Sequence, residues 1–267
     1  MKVRALISDV DGTLVTPEKV LTEATRAAVA RLGAAGVTFA IVSSRPPRGL
    51  RMLVEPLALA TPMAGFNGGV FVTPRLQETK QHLLPAEVAR RAVELILARG
   101  AQAWVFTVDD WLVRDAQGAY VAHEERTLQF APVVVEGFGR HLEKAAKIVG
   151  VSEDFALLED LEVRARERFG AQASIARSQP YYLDFTHPLA NKGTALLEFA
   201  TLLDIPVAQI TVIGDGGNDV AMFERAGSSI AMGNASEEVR RAADRVTGSN
   251  REDGFAAAVE RFILRVP

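Results

Sequence analysis

The chain of 267 residues has no cysteine and only four histidines. The absence of cysteine excludes disulfides, thiol nucleophiles and zinc–thiolate sites, and it is typical of a cytoplasmic protein. The four histidines, at positions 82, 123, 141 and 187, are too scattered to predict a histidine-rich metal site. We therefore expect any metal in this protein to have oxygen ligands, a donor set that favours Mg²⁺.

Long apolar runs and a strong charge of either sign are also missing. No stretch approaches the roughly 18 apolar residues that cross a bilayer, and no signal-peptide pattern precedes the first apolar segment, so we expect neither membrane insertion nor export. The net charge of −3 argues against a nucleic-acid partner held through its phosphates. Hydrophobic residues make up 48% of the chain, an ordinary fraction for a globular protein with a sizeable core.

The opening segment joins an apolar run to two acids. Residues 3–7 predict a buried strand, and Asp9 and Asp11 follow it directly. Alternate residues of an extended chain point the same way, so both carboxylates can face one site at the carboxyl end of the strand, where open parallel sheets bind ligands. Two such carboxylates repel unless a cation or a proton neutralises them. An Asp-Gly turn at a strand end explains the same residues without any function.

The first 83 residues alternate between apolar runs and amphipathic stretches, which predicts the strands and helices of a parallel sheet. Strands are expected at residues 37–42 and 62–66, and helices at 22–36 and 47–58. Asn67 then opens an Asn-Gly-Gly turn, which leads into a predicted hairpin of residues 70–73 and 77–84. Turn chemistry alone accounts for Asn67 as well as a binding role does.

The pattern changes between residues 84 and 187. This block predicts two amphipathic helices among short strands, with an irregular, charged segment at residues 115–140. The helices are expected at residues 85–99 and 153–169, and the strands at 101–106, 111–114, 145–151, 173–176 and 181–185. Its antiparallel α+β character predicts a separate domain, 84–187, inserted into an α/β core domain made of residues 1–83 and 188–267.

The α/β pattern resumes after residue 188. A helix is expected at 192–203 and a strand at 210–213, followed by the polar loop Gly214–Asp219. The remaining predicted elements are helices at 220–226, 236–243 and 254–264 and a strand at 229–232. Asp215, Asn218 and Asp219 in the polar loop fit either a tight turn or a cation site.

Two further polar groups stand where a site would need them. Ser43, Ser44 and Arg45 follow the second strand, and their hydroxyls and guanidinium suit a phosphate. Taken alone, these residues favour a helix N-cap beside an exposed arginine. Lys192 begins a helix, where the helix dipole disfavours a cation. That position favours a specific role for Lys192, such as pairing with nearby carboxylates.

The order of these motifs resembles the haloacid dehalogenase superfamily of phosphatases. The matching residues are Asp-Val-Asp-Gly-Thr-Leu from Asp9, the hydroxyl of Ser43, Asn-Lys-Gly around Lys192 and the Gly214–Asp219 loop. The inserted block is similar to the large α/β cap of the Cof-like branch. The resemblance implies a Rossmann-like parallel-sheet core with an α+β cap, and Mg²⁺-dependent hydrolysis of a small phosphorylated metabolite such as a sugar phosphate.

The resemblance also implies a role for each residue. Asp9 is the expected nucleophile, which forms an aspartyl phosphate, and Asp11 is the expected general acid and base. Mg²⁺ is expected on the Asp9 and Asp215 carboxylates and the Asp11 backbone carbonyl. Phosphate or substrate binding is expected of Ser43, Ser44, Arg45 and Asn67, charge balance of Lys192, and orientation of Lys192 or of a metal-bound water by Asn218 and Asp219.

Two matters stay open at this point. Relatives usually have Thr-Gly-Arg where this chain has Ser43–Arg45, which puts the close approach of backbone and substrate at Ser44 in doubt. The same motifs also fit a sugar phosphomutase, which shares the aspartyl phosphate, and a ligand-binding protein on an inactive scaffold. Four cap residues fit a substrate pocket and a cap core equally well, namely Trp104, Trp111, Tyr181 and His187.

Overall fold

The computed structural model describes residues 2–264, so residues 1 and 265–267 of the predicted core domain lie outside the described part. The strands are β1 (Ala5–Ser8), β2 (Thr38–Val42), β3 (Met63–Gly65), β4 (Val70–Val72), β5 (Glu78–Gln81), β6 (Gln102–Phe106), β7 (Trp111–Val113), β8 (Val133–Val134), β9 (Lys147–Val151), β10 (Ser174–Gln179), β11 (Tyr182–Thr186), β12 (Ile210–Gly214), β13 (Ser228–Ala231) and β14 (Arg245–Val246). The helices are α1 (Glu23–Ala34), α2 (Arg51–Val54), α3 (Ala86–Ala98), α4 (Val121–Leu128), α5 (Phe155–Phe169), α6 (Lys192–Leu203), α7 (Val220–Phe223), α8 (Glu237–Ala242) and α9 (Gly254–Ala258).

The first sheet has eight strands in the order β14-β13-β12-β1-β2-β3-β4-β5. All pairs from β14 to β3 are parallel, and β4 and β5 extend the sheet antiparallel at one edge. The central strand β1 is fully buried, as expected for a parallel strand covered on both faces. Its carboxyl end, next to that of β12, is where ligands bind in folds of this kind. This architecture confirms the predicted α/β fold with a parallel-sheet core.

The second sheet has six strands in the order β10-β11-β9-β6-β7-β8 and is antiparallel except for the β7–β8 pair. Side chains of one face pack with α3 and α5 into a core of their own. Side chains of the other face join a core that includes the first sheet, with the rings of Phe66 and Phe106 centred 6.0 Å apart. Strands β1–β5 and β12–β14 belong to the first sheet, and β6–β11 belong to the second. The domain boundaries at residues 84 and 187 stay a prediction.

Three local predictions need correction. The expected helix at 47–58 is a 3₁₀ turn followed by the four-residue α2, which ends at Val54. Residues 115–140, expected to be irregular, contain α4 and the short strand β8. Left-handed residues, Tyr120 and Gln129, flank α4 in place of a capping side chain, so the sequence shows none of the usual helix boundaries. The two-residue strand β14 was also missed.

Among the described residues, no helix is long and apolar enough to cross a membrane.

Candidate active site

The centre of the site is a buried lysine between two aspartates. The Nζ of Lys192 lies 2.6 Å from Oδ1 of Asp9 and 2.6 Å from Oδ1 of Asp219. Lys192 opens α6, where Asn191 is the N-cap, whereas Asp9 follows β1. Burial lowers the pKa of Lys192, but the two carboxylates outweigh burial and raise the pKa overall. The raised pKa favours the charged ammonium, and the structure places Lys192 between two carboxylates, the kind of partner that its position at a helix start suggested.

Asp219 uses its second carboxylate oxygen to hold the loop after β12. Its Oδ2 accepts hydrogen bonds from the backbone N–H groups of Asp215 and Gly216, at 2.9 and 2.8 Å. The side chain of Asp219 is fully buried. Since both of its oxygens are occupied, Asp219 orients Lys192 and shapes the loop that carries Asp215.

Asp215 is fixed from three directions. Thr13 donates to its Oδ1 at 3.0 Å, and the amide of Asn234 donates to its Oδ2 at 3.2 Å. Gly12 lies against the same carboxylate, and a Cβ at Gly12 would stand 2.1 Å from Oδ2. Gly12 also has φ +84°, so both the backbone conformation and the space require glycine. The loop after β1 is thus fitted around Asp215.

The carboxylates of Asp9, Asp215 and Asp219 each offer an oxygen within 4.8 Å of the others. Burial raises the pKa of Asp9 well above its usual range, Lys192 opposes that rise, and the two other carboxylates add to it. Burial and the charge of Asp219 raise the pKa of Asp215 to about 6. One ammonium thus faces three acids, and a divalent cation would neutralise the excess. Hard carboxylate oxygens are donors that suit Mg²⁺, so this acidic cluster fits the predicted metal.

Asp11 has surroundings of the opposite charge. Arg45 donates to both of its oxygens, from Nε at 2.6 Å and from Nη2 at 2.7 Å, and Lys19 donates to Oδ1 at 2.7 Å. Burial raises the pKa of Asp11, but the two cations outweigh it and lower the pKa to about 2. The Arg45 side chain, which the sequence left open as an exposed arginine, is 3% exposed.

The other predicted phosphate-binding residues surround the same edge of the sheet. Ser43 is buried at the end of β2, where its hydroxyl accepts from the backbone N–H of Arg45 at 3.1 Å. Asn67 has φ 59°, and its side-chain oxygen accepts from the amide of Asn218 at 2.9 Å. Ser44 lies between Ser43 and Arg45 and is half-buried. The structure therefore brings the residues that follow β1, β2, β3 and β12 to one edge.

Sequence reasoning missed three residues of this cluster. Lys19 lies between the predicted elements, Thr13 stands in the opening motif without a role of its own, and Asn234 belongs to no predicted feature. Asn234 follows β13, and it reaches both the Gly12 carbonyl, at 2.9 Å, and Asp215. A polar residue after another parallel strand was the available signal, since β13 ends at the same edge of the sheet as β1 and β12.

Comparison with known proteins agrees with this geometry. A family model described as haloacid dehalogenase-like hydrolase matches residues 6–259. The chain belongs to the haloacid dehalogenase-like hydrolases. The resemblance inferred from the motif order is thereby confirmed, and so is the prediction of a hydrolase.

Individual haloacid dehalogenase-like proteins resemble the chain over most of its length. A putative phosphatase of Haemophilus influenzae is 27% identical over 263 residues, which cover 97% of this chain and 98% of that protein. An HMP-PP phosphatase of Cronobacter sakazakii is 31% identical and covers 85% of this chain and 83% of its own length. The crystal structure of a haloacid dehalogenase-like hydrolase from Bacteroides thetaiotaomicron superposes with a TM-score of 0.90 at 27% identity, covering 97% of this chain and 99% of that one.

Proposed function

We propose that the protein is a Mg²⁺-dependent phosphatase that hydrolyses a small phosphorylated metabolite through an aspartyl phosphate on Asp9. The observation that carries the proposal is the pairing of Lys192 with both Asp9 and Asp219, 2.6 Å from each, at the carboxyl end of β1. An ammonium in this position balances a nucleophilic carboxylate and an incoming phosphate together. The relatives named as phosphatases support the same reaction class.

Mg²⁺ would be held by the carboxylates of Asp9 and Asp215 and the backbone carbonyl of Asp11. Asp219 is the third acid of the cluster, but its oxygens already bind Lys192 and two backbone N–H groups. When bound, the cation reduces the repulsion between an anionic carboxylate and an anionic phosphate. Thr13 and Asn234 hold the Asp215 carboxylate in place for this purpose.

Asp9 attacks first. One carboxylate oxygen of Asp9 bonds to phosphorus as the bond from phosphorus to the leaving oxygen breaks. Asp11 donates a proton to the leaving oxygen. Ser43 donates to a phosphoryl oxygen. A water molecule then attacks the phosphorus of the acyl phosphate, Asp11 takes its proton, and inorganic phosphate leaves with the Asp9 carboxylate restored.

Asp11 must carry a proton in the first step, yet Arg45 and Lys19 hold it as a carboxylate. We infer that the substrate phosphate competes for the same two cations. When they turn toward the phosphate, the pKa of Asp11 rises, because burial remains and the phosphate now balances the two positive charges. Arg45 thereby contacts the substrate in the first step, and its return to Asp11 after the leaving group has departed restores the carboxylate that deprotonates water in the second step.

The test is release of inorganic phosphate from p-nitrophenyl phosphate with Mg²⁺ by the wild type and by Asp9→Asn. The variant should lose about a thousandfold or more in kcat while its thermal unfolding stays close to that of the wild type. Glu252→Gln changes an exposed residue of the predicted core domain; it is the matched control and should keep full activity. A kcat of Asp9→Asn within a few-fold of the wild-type value would refute the assignment of Asp9 as the nucleophile.

A phosphotransferase on the same scaffold gives a different product. Conversion of glucose 1-phosphate to the 6-isomer without free phosphate would identify that reaction instead.

A further inference from the structure

A cluster of polar side chains lies on the second sheet, outside the catalytic motifs. Lys147 of β9 pairs with Oδ2 of Asp184 on β11 at 2.6 Å, and both side chains are close to nine-tenths buried. Tyr182, two residues before Asp184, donates its hydroxyl to Oε2 of Glu124 on α4 at 3.1 Å. Ionic groups that are buried outside a catalytic centre need a reason, because their desolvation costs free energy.

The sheet register places this cluster on the face turned toward the core domain. Asp184 lies opposite Val149, which lies opposite Trp104, so the three share a face. Lys147 is opposite Phe106 and shares it too, and the Phe106 ring meets Phe66 just after β3. The other face of the same sheet packs with α3 and α5.

Glu124 connects the cluster to the catalytic edge. One helical turn later, Leu128 approaches Gly49, and a Cβ at Gly49 would stand 3.6 Å from both Leu128 and the Cβ of Arg45. Residues four apart on a helix point the same way, so Glu124 faces the region where Arg45 holds Asp11. Burial raises the pKa of Glu124, and the charge of Asp11 adds to that rise, which agrees with their closeness.

The cluster has more acceptors than donors. Oδ1 of Asp184 is buried and makes no hydrogen bond with any described residue. The Glu124 carboxylate accepts a hydrogen bond from the Tyr182 hydroxyl. Within this cluster, Lys147 supplies one positive charge and Glu124 and Asp184 supply two carboxylates. A ligand that completes this cluster must therefore bring hydrogen-bond donors, and hydroxyl groups can both donate to the carboxylates and accept from Lys147.

We propose that Glu124, Lys147, Tyr182 and Asp184 bind the leaving group of the substrate, and that this leaving group is polyhydroxylated and carries no second phosphate. The inference rests on the proposed phosphatase function and adds the substrate class. A second phosphate would meet the two carboxylates of Glu124 and Asp184, and this repulsion selects against bisphosphates.

Two phosphate esters of the same length test the substrate class. Sorbitol 6-phosphate and n-hexyl phosphate differ in the hydroxyl groups of the six-carbon chain, and release of inorganic phosphate measures both. The wild type should hydrolyse sorbitol 6-phosphate with a kcat/KM at least about thirtyfold higher, and fructose 1,6-bisphosphate more slowly than fructose 6-phosphate. Equal rates on the six-carbon pair, from an enzyme that does hydrolyse p-nitrophenyl phosphate, would overturn the inference and leave the phosphatase intact. No hydrolysis of any ester would overturn both.

Variants of the cluster test whether these residues recognise the hydroxyl groups of the substrate. Asp184→Asn and Glu124→Gln should each lower the sorbitol-to-hexyl ratio of kcat/KM at least about fivefold, mainly through KM for sorbitol 6-phosphate. The matched control is Glu125→Gln, which changes the exposed neighbour of Glu124 on the same helix and should keep the ratio. If Asp184→Asn does not fold, Glu124→Gln and Tyr182→Phe carry the test. Folded variants with an unchanged ratio, or with equal losses on both esters, would contradict recognition at these residues.

Discussion

Arg45 binds both carboxylate oxygens of Asp11, through Nε at 2.6 Å and Nη2 at 2.7 Å. The two residues lie in the loops that follow β1 and β2, and their planar groups form the paired hydrogen bonds that a guanidinium makes with a carboxylate. Lysine cannot reproduce this geometry, because its ammonium is a single point of charge. The pair favours the carboxylate form of Asp11, the residue that exchanges a proton in the proposed mechanism.

Replacing Arg45 should therefore change the pH dependence of the reaction. With Arg45→Met, burial is opposed only by Lys19, so the pKa of Asp11 should rise from about 2 by at least about one unit. Below this pKa the Asp11 carboxylate that deprotonates water is lost. The acid limb of kcat for p-nitrophenyl phosphate, measured at saturating Mg²⁺, should therefore move to higher pH.

Arg51→Met is the control for this variant, since it removes an exposed arginine on α2 close in sequence. Its profile should match that of the wild type. An unchanged acid limb in Arg45→Met would show that Arg45 does not govern the ionisation of Asp11.

Mg²⁺ should stabilise the fold more at pH 8 than at pH 5. The pKa of Asp215 is about 6 in the folded protein against an ordinary value of 3.8, so the proton stabilises the fold below pH 3.8 and this contribution is lost as the pH rises through 6. Mg²⁺ replaces the proton at high pH and competes with it at low pH. Mg²⁺ at a hundred times its Kd should add about 2.7 kcal/mol at pH 8.

Thermal unfolding with Mg²⁺ and with EDTA at both pH values measures this effect. Asp215→Asn should abolish most of the Mg²⁺-dependent shift, whereas Glu252→Gln should keep it. The same shift at pH 5 and pH 8 would contradict the linkage, and a full shift in Asp215→Asn would remove Asp215 from the metal site.

Lys192→Met should destabilise the protein by about 3–5 kcal/mol in the absence of metal, because it leaves Asp9 and Asp219 buried without their counter-charge. The loss should be smaller at pH 5 than at pH 8, since protonation of a carboxylate relieves part of the repulsion. Urea unfolding in EDTA measures the free energy.

The control is Lys80→Met, which breaks an ion pair between Lys80 and Glu198 with Lys80 40% exposed. Exposed pairs of this kind contribute at most about 1 kcal/mol. Similar losses in the two lysine variants would mean that burial does not make the Lys192 cluster special.

The sequence predicted the parts of the site that parallel strands bring together. Asp9, Ser43 and Asp215 each follow an apolar run, and the strand ends of one parallel sheet share an edge. The order of apolar and polar residues was therefore sufficient to predict that these three lie close together. The partners of these residues were not predictable in the same way. Which acid Arg45 would bind depends on the path of the loop after β1, and no periodic pattern describes a loop.

The inserted block was harder to predict. Its antiparallel character was evident from short strands, yet Glu124 lay in a segment expected to be irregular. Helix α4 is only eight residues long and buries two of them, Val121 and Leu128, which is too few to reveal a helical period, and left-handed residues bound it. The partnership of Glu124 with Tyr182 spans 58 residues of sequence, a contact that only the folded sheet creates.

The position of β1 in the middle of its sheet sets the order in which the protein can become active. β1 is made near the start of the chain, yet its neighbour β12 is made near the end, and the hydrogen bond from Thr13 to Asp215 joins residues 202 positions apart. Contacts of such separation form late, because the chain entropy of closing so long a loop must be overcome first. During synthesis, Asp9 therefore lacks Lys192 and Asp215 until most of the chain has been made, and a chain that ends before these residues would lack the proposed catalytic site.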